Sequence, residues 1–224
     1  MPKPIIPSIT SMKTFLIFTT LAFILFTSQT LQGQTSREML RQHIDQIIRP
    51  FKGTVGLAAM GLEDSDTLLF NGRAQLPMQS VFKFPLALNI LSQVDKGILS
   101  LDQKINLTPR NLSSKTWSPL RDKYPTANVS VTLREILTFT VSQSDNNGCD
   151  ILFRLSGGPA KTNEYIHSLG ILQIAIANTE EEMHKIGRCN MPTGASLMPW
   201  FNFWMDCINI ESSPIPVPPF WKKL

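Results

Sequence analysis

Apolar side chains recur at helical spacing in several stretches of the chain. Over residues 36–51 they fall three or four positions apart, which predicts an amphipathic helix that ends at Pro50. Residues 80–95 are strongly apolar and predict a buried helix. Its proline, Pro85, lies near the first turn, where a missing N–H is best tolerated. Further helices are predicted over residues 132–139, 150–155 and 160–169.

Short β-rich runs predict a hairpin near the start of the folded region. Thr54–Leu62 and Thr67–Phe70 are separated by the polar cluster Glu63–Asp66, which is typical of a turn. Residues 98–130 are rich in Asn, Ser and Pro and are predicted to be mostly loop, whereas Ile171–Ala177 is an extended apolar segment.

Composition limits the class of protein without naming a function. The chain has 224 residues, of which 42% are hydrophobic and 17% are charged, enough for one domain with a core or for two small lobes. The formal net charge of +4 is not concentrated in a basic run. We therefore expect no nucleic-acid partner.

The first 33 residues carry the pattern of an export signal. Lys13 precedes the apolar run Phe15–Phe26, and small residues follow up to Gly33. This order is typical of a cleaved signal peptide, and the run is shorter than the ~20 residues that a membrane-spanning helix needs. We predict a signal peptide over residues 1–33, a secreted or periplasmic protein, and no stable membrane anchor. Met12 is an alternative start.

Cysteine and histidine usage gives no pattern of metal ligands. Cys149, Cys189 and Cys207 would meet an oxidising environment outside the cytoplasm, and their odd number leaves at least one thiol without an intramolecular partner. Whether Cys149 is paired stays open at this point. No Cys-x-x-Cys occurs and the three His are scattered, so we expect no metal site.

Ser80 and Lys83 form the first candidate catalytic motif. They are three residues apart at the start of the apolar helix, so their side chains share one helix face. Burial penalises the charged form of lysine, which would suit Lys83 to take the serine proton. The alternative is an N-cap serine followed by a lysine whose charged end reaches solvent.

Ser144, Asp145 and Asn146 form a second polar cluster about sixty residues later. Such a cluster could extend a proton relay from Ser80 and Lys83 and bind a substrate amide. The same residue types are common in ordinary loops, which is the alternative interpretation.

The order and spacing of the two motifs resemble the class A β-lactamases, serine hydrolases that open the β-lactam ring of penicillins and cephalosporins. The resemblance predicts a partial β-lactamase domain over residues 34–185. It implies an α+β fold of the β-lactamase/transpeptidase type, with an all-α lobe and an α/β sandwich lobe built on an antiparallel sheet. A small β-lactam substrate, no cofactor and a monomer are also implied. Further segments that match the family are Trp117–Pro119, Thr132–Leu137, Gly157–Pro159 and Glu180–His184.

The resemblance assigns the catalytic roles. Ser80 would be the acylated nucleophile, and Lys83 would share in its deprotonation. Ser144 would relay a proton to the departing lactam nitrogen. Glu180 would activate the water that cleaves the acyl-enzyme.

Three other residues receive binding or supporting roles from the same resemblance. Asn146 would hold the substrate's side-chain amide, and Trp117 would border the mouth of the pocket. Asp145 would brace its loop rather than touch substrate. Two departures from the common family pattern, Met183-His184 in the Ω-loop and Asp150 in place of an Asn, indicate an extended-spectrum branch.

The third family motif, Lys-Thr-Gly, is not found in the sequence. In the family its strand binds the substrate carboxylate and adjoins the oxyanion hole, and one lost oxyanion donor can cost on the order of 10²–10³ in rate. We therefore expect the C-terminal strands of the sheet to be missing and this polypeptide to be inactive. The predicted helix over residues 80–95 would then expose much of its apolar surface.

The segment after Lys185 has a different texture, rich in Pro and Trp. Residues 190–200 can be encoded by codons that, shifted by one nucleotide, read Tyr-Ala-Asn-Trp-Cys-Lys-Pro-Asp-Ala-Met, as expected after the Ω-loop of a family member. We predict that residues 186–224 are an aberrant, disordered, out-of-frame tail. Two other functions stay open: a penicillin-binding D,D-peptidase-like protein, or a remnant without catalytic activity.

Overall fold

The computed structural model describes residues 37–61, 66–186 and 194–196. The chain divides into two units, Met1–Val55 and Gly56–Leu224. In the first unit helix α1 covers residues 37–48, as the apolar spacing before Pro50 predicts. The predicted signal peptide over residues 1–33 lies outside the described residues.

The predicted hairpin is confirmed in the second unit. Strand β1 (Leu57–Met60) pairs antiparallel with β2 (Thr67–Phe70), and Leu57 lies opposite Phe70. The β-rich runs on either side of the polar cluster therefore form the two strands.

Helix α2 is the buried centre of this unit. A 3-10 turn, Gln79–Phe82, leads directly into α2 (Lys83–Asp95). Phe82, Leu86 and Ile90 have no exposed surface, and each such side chain contributes about 1.5–3 kcal/mol through burial. The expectation that this helix exposes much of its apolar surface is wrong, because the surrounding helices cover it.

In the described part of the chain five further helices follow α2, and three of them pack against it. They are α3 (Pro119–Lys123), α4 (Leu133–Ser142), α5 (Asn146–Ser156), α6 (Pro159–Ser168) and α7 (Glu180–Ile186). Helices α4, α5 and α6 contact α2, and the Phe153 ring of α5 stacks on Phe82 with the ring centroids 5.8 Å apart.

Two helix starts illustrate how side chains set boundaries. Thr132 caps α4 as predicted, since its hydroxyl accepts a hydrogen bond from the Glu135 backbone N–H at 3.1 Å. Helix α5 begins four residues earlier than predicted. The Asp145 carboxylate accepts from the Gly148 N–H at 2.7 Å, so residues typical of a loop act here as a helix cap.

The region predicted as loop, residues 98–130, contains more regular structure than expected. Strand β4 (Lys104–Leu107) pairs antiparallel with β5 (Val129–Thr132), and the 3-10 turn Pro109–Asn111 and α3 lie between them. Four-residue strands produce too short an alternation to be separated from a polar loop by pattern alone.

A third small sheet joins β3 (Gln75–Leu76) and β6 (Ile174–Ala175) to β7 (Gly194–Ser196), both in antiparallel pairing. Strand β7 falls within the segment predicted as an out-of-frame tail. Of that segment the structure describes only Ile186 and these three residues. The helix-rich unit with small antiparallel sheets agrees with the predicted α+β class.

Candidate active site

The junction between the 3-10 turn and α2 brings Ser80 and Lys83 together. Lys83 Nζ lies 3.1 Å from Ser80 Oγ, and the lysine is only 2% exposed while the serine is exposed. Met78 and Phe82 occupy the cap positions of the turn and the helix, and neither cap uses a side chain. The alternative of an N-cap serine with a solvent-reaching lysine is therefore wrong.

Lys83 is the centre of a polar network. Its ammonium donates to Ser144 O at 2.9 Å, to Ser144 Oγ at 3.1 Å and to Asn146 Oδ1, and it forms an ion pair with Glu180 Oε1 at 2.9 Å. With Ser80 Oγ, five oxygens from four residues surround a group that has three N–H donors. The expectation of apolar surroundings is wrong for Nζ, although the residue as a whole is buried.

Ser144 adopts a strained backbone conformation between α4 and α5. Its φ is +56°, in the left-handed region that a residue other than glycine occupies at a cost of order 1–3 kcal/mol. This conformation directs both its carbonyl oxygen and its hydroxyl toward Lys83 Nζ. The local strain is thus coupled to the placement of a proton-carrying hydroxyl.

Asp145 braces the loop, as expected. It is fully buried, and its carboxylate accepts from Ser118 Oγ at 2.9 and 3.0 Å, from Leu120 N at 2.6 Å and from Gly148 N at 2.7 Å. These bonds tie the start of α3 to the start of α5. Because every one of these donors is a group of the protein, the carboxylate serves to brace the loop.

Asn146 and Trp117 are joined by a hydrogen bond. Asn146 donates its backbone N–H to Trp117 O at 3.1 Å, and its Nδ2 donates to Thr116 Oγ1 at 2.7 Å. The Trp117 indole is 63% exposed, and its Nε1–H donates to Gln143 O at 2.9 Å. Sequence reasoning missed Thr116, because a threonine beside an aromatic residue carries no distinguishing pattern.

Glu180 is the first residue of α7, where the sequence predicted an Ω-loop. Its side chain is 16% exposed, whereas Glu181 and Glu182 are solvated, as expected. Asp150 on α5 fixes this helix start, since its carboxylate accepts from Glu180 N at 2.8 Å and from Glu181 N at 3.2 Å. Burial raises the pKa of the Asp150 carboxyl from 3.8 to about 6.

Other titratable groups nearby do not form a metal centre. Among the described residues, no group of three or more His, Cys, Asp or Glu side chains is arranged to hold a metal ion. Cys149 is a buried free thiol, and burial raises its pKa well above the ordinary value. No helix in the described ranges is long and apolar enough to cross a membrane.

The predicted site residues thus converge around one lysine. Ser80, Ser144, Asn146 and Glu180 each contact Lys83, and Trp117 contacts Asn146. A serine hydroxyl beside a lysine, a second hydroxyl and a carboxylate form an arrangement that can pass protons during nucleophilic attack.

Comparison with known proteins supports the family that the sequence motifs indicate. Residues 39–197 match the β-lactamase enzyme family. The chain is 40% identical over 169 residues to β-lactamase VEB-1 and 38% identical over 172 residues to extended-spectrum β-lactamase PER-1, both from Pseudomonas aeruginosa. These matches cover 75% and 77% of the chain but 56% and 55% of the relatives. The chain therefore spans about half the length of the curated relatives that it matches.

Solved structures agree in fold. A β-lactamase from Chitinophaga pinensis superposes with a TM-score of 0.71 at 46% identity, covering 76% of this chain and 63% of that one. A variant of the TLA-1 extended-spectrum β-lactamase gives a TM-score of 0.74 at 39% identity, covering 84% and 67%. These likenesses confirm the predicted fold class. The chain belongs to the β-lactamase enzyme family, among its class A serine enzymes.

Proposed function

We propose that this protein hydrolyses the β-lactam amide of penicillins and cephalosporins through an acyl-enzyme on Ser80, and so confers resistance to these antibiotics. The observation that carries the proposal is the position of Lys83 Nζ. It lies 3.1 Å from both Ser80 Oγ and Ser144 Oγ and 2.9 Å from Glu180 Oε1. One group thus links the nucleophile to two groups that can exchange protons with it.

In acylation, Ser80 Oγ attacks the lactam carbonyl and loses its proton to Lys83 Nζ. Lys83 can accept this proton once it has passed one of its own to Glu180, its ion-pair partner. The C–N bond of the lactam then breaks, and Ser144 Oγ gives its proton to the departing nitrogen. Lys83 replenishes Ser144 across 3.1 Å and takes back its own proton from Glu180, so the acyl-enzyme again holds an ammonium and a carboxylate. Asn146 binds the substrate's side-chain amide, and Trp117 borders the entrance.

In deacylation, Glu180 activates a water that attacks the ester carbonyl on Ser80. The carboxylate is 16% exposed, so water can reach it while it stays paired with Lys83. The ester C–O bond breaks and the proton taken from water returns to Ser80. No step uses a metal or an organic cofactor.

The experiment is intact-mass analysis of the purified chain after exposure to benzylpenicillin, combined with nitrocefin turnover. A wild-type mass increase equal to one penicillin, absent in Ser80→Ala, supports nucleophilic catalysis by Ser80. A stable adduct without turnover favours the D,D-peptidase-like alternative. No adduct on the wild type rejects the proposal and favours a remnant.

We further propose that the protein is exported by residues 1–33 and acts as a monomer in the periplasm. The charged, apolar and small-residue order of that segment supports export. Mass analysis of protein from a periplasmic extract should show the loss of this segment, and size-exclusion chromatography should give one copy per particle. Retention of the full chain in the cytoplasmic fraction would contradict the proposal.

A further inference from the structure

Residues 113–117, here called the side wall, run beside Asn146 and carry Thr116 and Trp117. Most of these residues are exposed, yet hydrogen bonds hold the segment along its whole length. The Asn147 side chain on α5 accepts from Ser113 N and donates to Ser113 O, both at 3.1 Å. At the other end Trp117 is held by Gln143 O. The wall therefore has a defined conformation despite its exposure.

Arg121 is the strongest of these attachments. Its Nη1 donates to Ser113 O at 3.0 Å and to Thr116 O at 2.7 Å, which joins two residues of the side wall. This pair of bonds is here called the clamp. Nε and Nη2 donate to Asp122 Oδ1 at 3.1 and 2.7 Å, which orients the guanidinium plane. The side chain is only 25% exposed, and a rigid fork of charged donors makes stronger bonds than a neutral donor.

The wall in turn fixes the amide of Asn146. The Lys83 ammonium can donate hydrogen bonds but cannot accept them. Asn146 must therefore present Oδ1 to Lys83 and Nδ2 to Thr116. One of the two Nδ2 hydrogens bonds to Thr116 Oγ1 at 2.7 Å, and the second is available to a substrate carbonyl. The position of Thr116 therefore determines where that hydrogen points.

We propose that Arg121 is a positioning residue for recognition of the substrate's acylamino side chain. By fastening the side wall it keeps Thr116 against Asn146 and Trp117 at the entrance. Arg121 itself touches no substrate. The role in substrate recognition, here called the functional half of the proposal, rests on the proposed β-lactam chemistry. The fastening of the side wall by Arg121, here called the mechanical half, depends only on the hydrogen bonds of the wall.

The mechanical half is tested by limited trypsin digestion, because Lys115 lies exposed in the middle of the wall. Cleavage after Lys115 is measured by mass spectrometry and divided by cleavage after Lys161, which is exposed on α6. Loss of the clamp in Arg121→Ala should raise this ratio by about tenfold, since local opening exposes a segment without global unfolding. Arg134→Ala, which removes an exposed arginine paired with Asp102, is the matched control and should leave the ratio unchanged.

An unchanged ratio in Arg121→Ala overturns the proposal, whether both cleavages accelerate together or neither does. Asp122→Asn gives a milder perturbation of an exposed residue, in case Arg121→Ala does not fold. It should raise the ratio by about threefold, because the guanidinium loses its orienting carboxylate. No rise in Asp122→Asn argues equally against the clamp.

The functional half is tested by the second-order rate of Ser80 acylation with two substrates. Benzylpenicillin carries an acylamino side chain, and 6-aminopenicillanic acid does not. Arg121→Ala should slow acylation by benzylpenicillin about tenfold and by 6-aminopenicillanic acid less than about twofold, the same discrimination as in Asn146→Ala. Equal slowing with both substrates overturns the recognition role. If the wild type forms no adduct, the proposed function fails, and the proteolysis ratio still decides whether the clamp exists.

Discussion

The buried carboxyl of Asp150 should make the stability of the folded protein depend on pH. Burial raises the pKa of its carboxyl from 3.8 to about 6, despite the two backbone N–H groups of Glu180 and Glu181 that it accepts from. At 1.36 kcal/mol per pKa unit, keeping this carboxyl charged in the folded protein costs about 3 kcal/mol. The folded state binds the proton more tightly, so this group lowers stability as pH rises from about 4 to 6, and the loss is complete above that range.

Asp150→Asn should therefore stabilise the fold at pH 8. The amide carries no charge to bury, which regains about 3 kcal/mol, but it offers one acceptor oxygen to two N–H groups and loses about 0.5–1.5 kcal/mol. We expect a net gain of roughly 1.5–2.5 kcal/mol at pH 8 and a small loss at pH 4, below the folded pKa. Urea unfolding at both pH values measures the difference, from midpoints at a constant slope.

The sign and the pH dependence together make this prediction specific. Asp95→Asn, at the exposed end of α2, is the control and should change stability by less than about 0.5 kcal/mol at both pH values. If Asp150→Asn changes the free energy of unfolding equally at pH 4 and pH 8, burial of this charge is not what governs its effect. A loss at pH 8 would mean that the second hydrogen bond outweighs desolvation.

Three further substitutions test the packing of the core and the hydrolytic step. Gly148→Ala should cost about 1–3 kcal/mol, because the new Cβ would lie 2.6 Å from Thr140 Oγ1; thermal unfolding measures this, and adding Thr140→Ala should restore part of the loss. Phe153→Ala should cost about 3–5 kcal/mol in urea unfolding, since it empties a fully buried position stacked on Phe82, and a loss below about 1 kcal/mol would contradict that packing. Glu180→Gln should form the Ser80 adduct more slowly than wild type, because Lys83 can no longer pass a proton to residue 180. It should retain the adduct at least about 10²-fold longer in a mass-spectrometric time course, because no base activates the water. An adduct equally short-lived in the variant would remove Glu180 from deacylation.

Sequence pattern predicted the proximity of Ser80 and Lys83 because that proximity is local. Residues three apart on one helix turn must lie close whatever the rest of the chain does. The environment of Lys83 Nζ was not predictable in the same way. Its other oxygen partners come from Ser144, Asn146 and Glu180, which are 61 to 97 residues further along the chain. The apolar local sequence therefore predicted the wrong surroundings for the Lys83 ammonium.

The supporting residues were missed for a related reason. Thr116 acts through a hydrogen bond to the Asn146 amide and Arg121 through bonds to two backbone carbonyls. Such bonds leave no periodicity in the sequence. Asp145 was correctly expected to brace its loop, but its capping of α5 was hidden among residues that also favour turns. A polar side chain of this kind can either form a turn or cap a helix. Helix boundaries depend on which of the two it does, and only tertiary packing decides that.

The candidate catalytic residues share a feature that explains why motifs single them out while hydrophobic patterns do not. Each lies where regular structure stops: Ser80 in a 3-10 turn, Ser144 at a positive φ between two helices, and Glu180 at the first position of a short helix. At such points hydrophobic periodicity is interrupted, so element prediction is weakest there. Side-chain identity at fixed spacing survives that interruption, because the proposed reaction requires hydroxyls and a carboxylate around one amine. The buried helices hold these irregular points in register, and a change that loosens their packing should therefore affect catalysis before it unfolds the chain.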